Sequence, residues 1–139
     1  MKLKEDQINI GLLILRIGIG FMFILHGYPK IIGGPEKWVG LGEKAMTAIG
    51  IGFGFTFFGL MAALSEFLGG ILLILGLATR YACGFLLVTM IIAATLHLSQ
   101  GDGIMKASHA IESGVLFLSL IFLGAGKFSI DRYLFSSED

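Results

Sequence analysis

The sequence has one cysteine, Cys83, two prolines, Pro29 and Pro35, and charged side chains at only 14% of its 139 positions. A single cysteine excludes both an intrachain disulfide framework and a CxxC thiol relay. Cys83 lies in an apolar run, where a free thiol acts as a small buried hydrophobe. Ten acidic residues balance ten basic ones, so no charge excess points to a nucleic-acid partner or an acidic substrate. No iron–sulfur cysteine pattern and no dinucleotide-binding glycine fingerprint is present. With so little charge, a water-soluble domain of this size would lack polar surface to cover itself.

What the chain does have is apolar length. Hydrophobic residues make up 55% of it, and the mean hydropathy is +0.88. That is a membrane composition, and the length suits one domain over residues 1–139. Lys2 and Lys4 precede the first apolar run, as in a signal peptide. The run is too long for one, contains Arg16, and ends in HGYPK without a small-x-small cleavage site, so it reads as a retained span.

Hydropathy predicts four spans, over residues 8–28, 53–77, 81–98 and 107–124. Residues 1–7 read as a polar leader and the stretch from Gly124 as a polar tail. Pro29 and the run Gly33-Gly34-Pro35 are expected to end the first span. Residues 36–49 are too polar to cross, yet Trp38, Leu41, Ala45, Met46 and Ile49 recur near helical spacing. They predict a short helix at the interface, with Trp38 at head-group level. The Ala78-Thr79-Arg80 turn is so short that spans two and three are antiparallel neighbours. Gly11, Gly18 and Gly20 on span one, and Gly69 and Gly70 on span two, are expected to let backbones approach closely. The predicted fold is therefore all-α: a transmembrane four-helix bundle with an interfacial helix between spans one and two.

Ionisable residues inside the spans carry the functional reading, because a charge in hydrocarbon costs several kcal/mol and normally faces a partner or a wet cavity. At about 1.5 Å rise per residue, Arg16 lies roughly 12 Å from the inner face, Glu66 roughly 16 Å and Glu112 roughly 18 Å. His109, His97 and His26 lie roughly 22, 24 and 27 Å up. The expected arrangement is one polar column, with Arg16 pairing Glu66 at mid-depth. Glu112 and at least one of His26 and His97 would line the same cavity, with Lys30 and His109 as secondary candidates. His109 and Glu112 are three apart and share a helix face, but this is one such pair, and Arg16 beside it would repel a cation. Metal is not expected, nor is haem, since nothing fixes two of the three histidines in axial geometry.

The segments LRIGIGFMFILHGYPKIIGG, SEFLGGILLILGLATR and GAGKFSIDRYL together resemble the DoxX family of small four-helix membrane proteins. The resemblance covers nearly the whole chain. It rests on Arg16, His26-Gly27, Lys30, Glu66, Gly69-Gly70, Arg80 and the closing GAG-x-x-S-I-D-R. It implies the four-helix fold, and for function a link to quinone-coupled membrane oxidoreduction.

Two readings of function follow. In the first, the chain is the membrane component of a quinone-linked redox system, binding a small polar or quinone-like head group at Arg16, His26, Glu66, His97 and Glu112. Quinone carbonyls need hydrogen-bond donors and their reduction consumes protons, which imidazoles can supply. With no electron-carrier motif of its own, such a component requires a redox partner protein or a bound cofactor. In the second, the bundle is a non-enzymatic adaptor or a carrier of a small solute or lipid, held together by a structural ion pair. Membrane lipid is a partner in either case, and a homo-oligomer is compatible with both. Lys2, Lys4, Arg80, Lys127 and Arg132 on the termini side face Lys30, Lys37, Lys44 and Lys106 on the other. The basic leader and the Arg80 turn place both termini in the cytoplasm of a prokaryotic plasma membrane.

Overall fold

The computed structural model describes residues 2–135 and consists of six helices: α1 (Lys2–Ile32), α2 (Gly34–Ala48), α3 (Phe55–Leu75), α4 (Thr79–Ser99), α5 (Ile104–Leu123) and α6 (Ile130–Phe135). Four of them, α1, α3, α4 and α5, are long and apolar enough to cross a bilayer. Most of their outward side chains are apolar, among them Ile14, Phe21, Phe57, Phe85 and Phe122, all exposed. The inner stripe is apolar too and includes Leu12, Phe23, Leu73, Cys83, Leu86, Met90, Phe117 and Leu120. Cys83 is fully buried there.

Helix boundaries differ from the hydropathy reading at the chain ends and at the α3–α4 turn, which lies at residues 76–78 because α4 already begins at Thr79. The leader is already helical from Lys2, and α1 continues through Pro29 to Ile32. Proline removes one backbone donor, which helices in membrane bundles tolerate when neighbours re-satisfy the freed groups. The turn beyond Pro29 is anchored on both sides: the Lys30 carbonyl accepts from Trp38 Nε1 at 2.9 Å, and the Lys30 ammonium reaches α3. Gly34, at φ +68, makes the break. The expected polar tail is a short helix through Phe135, with residues 136–139 outside the described part.

The α1–α3 crossing depends on Gly20 and Gly70. A Cβ on either would lie 2.6 Å from the other's carbonyl oxygen, so only glycine lets the two backbones touch. Gly11 and Gly18, expected to serve the same purpose, face open space. Helices α3 and α4 are antiparallel neighbours, joined by a turn with Gly76 and Ala78 both at positive φ and pinned by a Thr89–Ser65 hydroxyl bond of 3.0 Å.

Helix α2 packs antiparallel on the first half of α3, burying Gly42 and Met46 and leaving Glu36, Lys37, Glu43 and Lys44 exposed. Gly42 lies against the Phe55 carbonyl, and Gly59 against that of Trp38. A Cβ at Gly59 would sit 1.8 Å from the Trp38 oxygen, a clash only backbone movement can relieve. Gly59→Ala is therefore expected to lower unfolding stability in detergent by about 1–3 kcal/mol. Gly40→Ala, on the same helix pair with nothing within 4 Å, should be neutral or stabilising. Equal effects of the two substitutions would show that α2 is not seated on α3 in this way.

Candidate functional site

The polar residues of the spans divide into two sites and one outlier. The first site is a cavity of about 140 Å³ near the end of the bundle away from the termini. Each helix of the bundle contributes: His26 and Lys30 from α1, Glu66 from α3, His97 from α4, and Lys106 and His109 from α5. Phe23, Met90, Ala93 and Ala110 complete its walls. Lys30 Nζ donates to Glu66 Oε2 at 2.5 Å, with the Glu66 side chain almost wholly buried and that of Lys30 27% exposed. The rings of His26 and His109 face each other with centroids 5.4 Å apart. Phe23 lies beneath both, stacked on His109 at 6.4 Å and edge-on to Phe117 at 4.9 Å. His26 and His109 are themselves exposed, about six residues inside the ends of their helices, roughly 9 Å along the axis. The cavity therefore opens between α1 and α5, at a depth within the spans.

His97 is held from the loop after α4. Its Nδ1 lies 2.9 Å from Asp102 Oδ2, and Asp102 Oδ1 accepts from Lys106 Nζ at 3.2 Å. One carboxylate thus positions two cavity residues and leaves His97 Nε2 as the ring nitrogen without a partner among the described residues. The hydrogen bond to His97, and then that to Lys106, holds the Asp102 carboxyl below its ordinary value of 3.8. A carboxyl with a lowered value in the folded state stabilises the fold above its unfolded value and loses that contribution as pH falls through the folded one. Asp102→Asn is expected to be less stable than the native chain above pH 3.8, with the two thermal-unfolding curves converging at lower pH. A gap that persists unchanged in acid would show that Asp102 carries no such linkage.

The second site is structural. Arg16 is fully buried, but it does not meet Glu66. Its Nη1 donates to the Leu73 carbonyl at 3.2 Å and its Nη2 to the Phe128 carbonyl at 2.5 Å. Asp131, from the closing SIDR segment, is its acidic neighbour. Asp131 also caps α4, accepting from the amides of Ala78 at 2.7 Å and Thr79 at 2.9 Å. Its own amide donates to the Gly76 carbonyl at 2.9 Å. The α3–α4 turn is thus held from both sides: a cation sits at the C-terminus of α3, an anion at the N-terminus of α4, each matching the helix dipole there. Asn9 completes the clasp by accepting from the Lys127 amide at 2.7 Å.

The outlier is Glu112, which the sequence placed in the column. It is exposed on the outside of α5, because that helix buries Ala107, Ala110, Ser113, Gly114 and Phe117. That stripe was legible in the small residues of the span; depth alone says nothing about rotation. Lys30 is only a secondary candidate in the sequence because Pro29 predicts the end of the span and puts the lysine in a loop. Lys106 and Asp102 carried no depth signal and were missed. Among the described residues, no group of three or more His, Cys, Asp or Glu side chains is placed to hold a metal ion.

A family model described as DoxX matches residues 11–98. The chain belongs to the DoxX family. The match takes in Arg16, His26, Lys30, Glu66 and His97 and stops before Asp102, Lys106 and His109, so the α5 side of the cavity lies outside it. The chain is similar to the Escherichia coli inner membrane protein YqjF, 32% identical over 139 residues, covering 96% of this chain and 97% of that one. It is similar also to an uncharacterized protein of Haemophilus influenzae, 35% identical over 131 residues, covering 87% and 88% of the two chains. An uncharacterized membrane protein of Mycobacterium tuberculosis is 33% identical over 133 residues, covering 86% and 78%. No solved structure gives a significant match.

Proposed function

We propose that this DoxX-family membrane protein binds a quinone-like head group in the His26–His97–His109 cavity and serves as the membrane component of a quinone-linked redox system. One observation carries the reading: histidines from three helices converge on a single cavity that also holds the Lys30–Glu66 pair. A cavity of about 150 Å³ accommodates a six-membered ring, and this one is about 140 Å³. Phe23, Met90 and the alanines offer apolar walls to such a ring. Imidazole N–H groups and the two lysines offer donors to its carbonyl oxygens, and the histidines can relay the protons that reduction consumes. The opening between α1 and α5 suits a ligand whose tail stays in the bilayer. Electrons would come from a partner protein. Arg16 and Glu112 drop out of the binding set on this reading, and Lys30 and His109 enter it. Both termini are placed in the cytoplasm, in keeping with the basic residues of that end, which puts the cavity toward the opposite face of a bacterial inner membrane.

The experiment is extraction of quinone from protein purified in mild detergent, followed by titration with a short-chain quinone. Quinone should co-purify, and His26→Ala with His109→Ala should weaken binding about ten-fold or more, with little change in unfolding temperature. If no quinone is retained and the short-chain compound causes no thermal shift, the redox reading fails. The bundle is then an adaptor or carrier whose Lys30–Glu66 pair is structural.

A further inference from the structure

We propose that the open basin at the termini end of the bundle binds the phosphate of an anionic phospholipid, chiefly through Arg80 and Arg132. The basin measures about 830 Å³ and is separate from the histidine cavity, with which it shares no residue. The α3–α4 turn, the C-terminal end of α5 and helix α6 form its walls. Arg80 reaches across from α4 to α5: a Cβ on Gly124 would lie 3.8 Å from its guanidinium. Among the described residues, neither Arg80 nor Arg132 has a carboxylate partner. Of the acids lining the basin, Asp131 has both oxygens committed to the backbone amides of Ala78 and Thr79, which leaves Glu5. Lys127, also lining the basin, is joined to Asp6 only by an exposed contact of 3.7 Å. Thr79, at the start of α4, forms part of the basin floor. It is fully buried, and its hydroxyl oxygen has no hydrogen-bond partner.

The surroundings select among anions. Tyr81, Leu123 and Phe135 line the basin and are 77%, 60% and 76% exposed. Phe122, next to Leu123, is 77% exposed. Tyr81, Phe122 and Leu123 lie at the ends of α4 and α5, where spanning helices meet the head groups. Guanidinium groups take phosphate oxygens in a forked geometry, and an apolar collar beside them takes acyl chains. A soluble anion would use the first feature and leave the second without purpose.

The test is retention of phosphatidylglycerol against phosphatidylcholine by the purified full chain, read by native mass spectrometry. The native chain should retain phosphatidylglycerol preferentially. Each of Arg80→Gln and Arg132→Gln should weaken that retention about five-fold, and the pair about 25-fold. The double variant should keep its unfolding temperature, because neither side chain donates a hydrogen bond within the described residues. His26→Ala, at the other end, should retain the lipid as the native chain does; quinone binding plays no part in this readout. Equal retention of the two lipids by the native chain, or unchanged retention by a folded double variant, would overturn the proposal. So would displacement of the lipid by inorganic phosphate at equal concentration, which would mark a site for the free ion. If the double variant does not fold, Arg80→Lys serves instead: it keeps the charge and loses the fork, and it should fall between native and Gln.

Discussion

Replacing Arg16 by methionine is expected to destabilise the protein by about 3–5 kcal/mol and to free the closing segment for proteolysis. The magnitude follows from what the guanidinium holds. It is wholly buried, and its two bonds reach carbonyls on different elements, Leu73 of α3 and Phe128 of the closing segment. Hydrogen bonds to a charged group contribute about 1.5–3 kcal/mol each; the Phe128 carbonyl loses its donor, while the Leu73 carbonyl keeps the Gly76 amide at 3.1 Å. Asp131 would also lose the cation beside it, while still bound to Ala78 and Thr79. Removing one member of a buried charged group strands the other, and that sets the upper end of the range. Arg16→Lys should rescue little, since an ammonium cannot span two carbonyls in the planar fork. The measurements are thermal unfolding in detergent and the rate of tryptic cleavage after Lys127. A variant within about 0.5 kcal/mol of the native chain would show that the segment is held by its other bonds, those of Asn9 and Asp131. Adding Glu66→Gln should change stability additively, within about 0.3–0.5 kcal/mol, because the two residues belong to separate networks.

Breaking the Lys30–Glu66 pair is expected to have an asymmetric effect. Glu66 is 4% exposed and sits inside the bundle, so Lys30→Met leaves a buried carboxylate without its partner. That single change should cost about 3–5 kcal/mol. Glu66→Gln leaves the lysine instead. Lys30 is in the last turn of α1 and already partly exposed, so its ammonium can turn toward the interface along its own stem. Its cost should be smaller, about 1–2 kcal/mol. Lys30→Met with Glu66→Leu removes both charges and should recover most of the loss of Lys30→Met alone. Equilibrium unfolding of these proteins, with Glu66→Leu alone added to close the cycle, gives the coupling. If the two single variants are equally unstable and the double variant is no better, the pair is not the reason either residue is held there. On the proposed function, the double variant folds and still loses the quinone analogue; retention by a folded double variant would confine the site to the histidines.

The arrangement of Arg16 and Glu66 shows why depth was a partial guide. Both residues lie in the interior, as the expense of a charge in hydrocarbon requires. Each, however, solved its own problem locally. Arg16 found backbone carbonyls at a helix end and in a segment more than a hundred residues away. Glu66 found a lysine whose long side chain reaches it from a turn beyond a proline. Matching one cation to one anion by height assumes that only charges satisfy charges, whereas carbonyl oxygens at helix C-termini serve an arginine as well.

What the sequence determined by itself was set by local terms. Hydropathy over about twenty residues is a property of a segment, so the four spans and the short amphipathic helix between the first two were legible without a structure. A short turn between spans two and three was legible and can only reverse the chain, though it lies at residues 76–78, with Thr79 and Arg80 already in α4. Three histidines at similar height were legible too, because rise per residue is constant. The tertiary structure decided rotation and partnership. A helix can turn about its axis without changing any residue's depth, which is how Glu112 came to face outward while His109, three residues earlier, faces His26. Which cation met which anion depended on helix crossings set by Gly20 against Gly70, and on the reach of lysine and arginine side chains. The folding-back of residues 124–132 onto Arg16 and the α3–α4 turn is a contact across the whole length of the chain, and no local pattern encodes it.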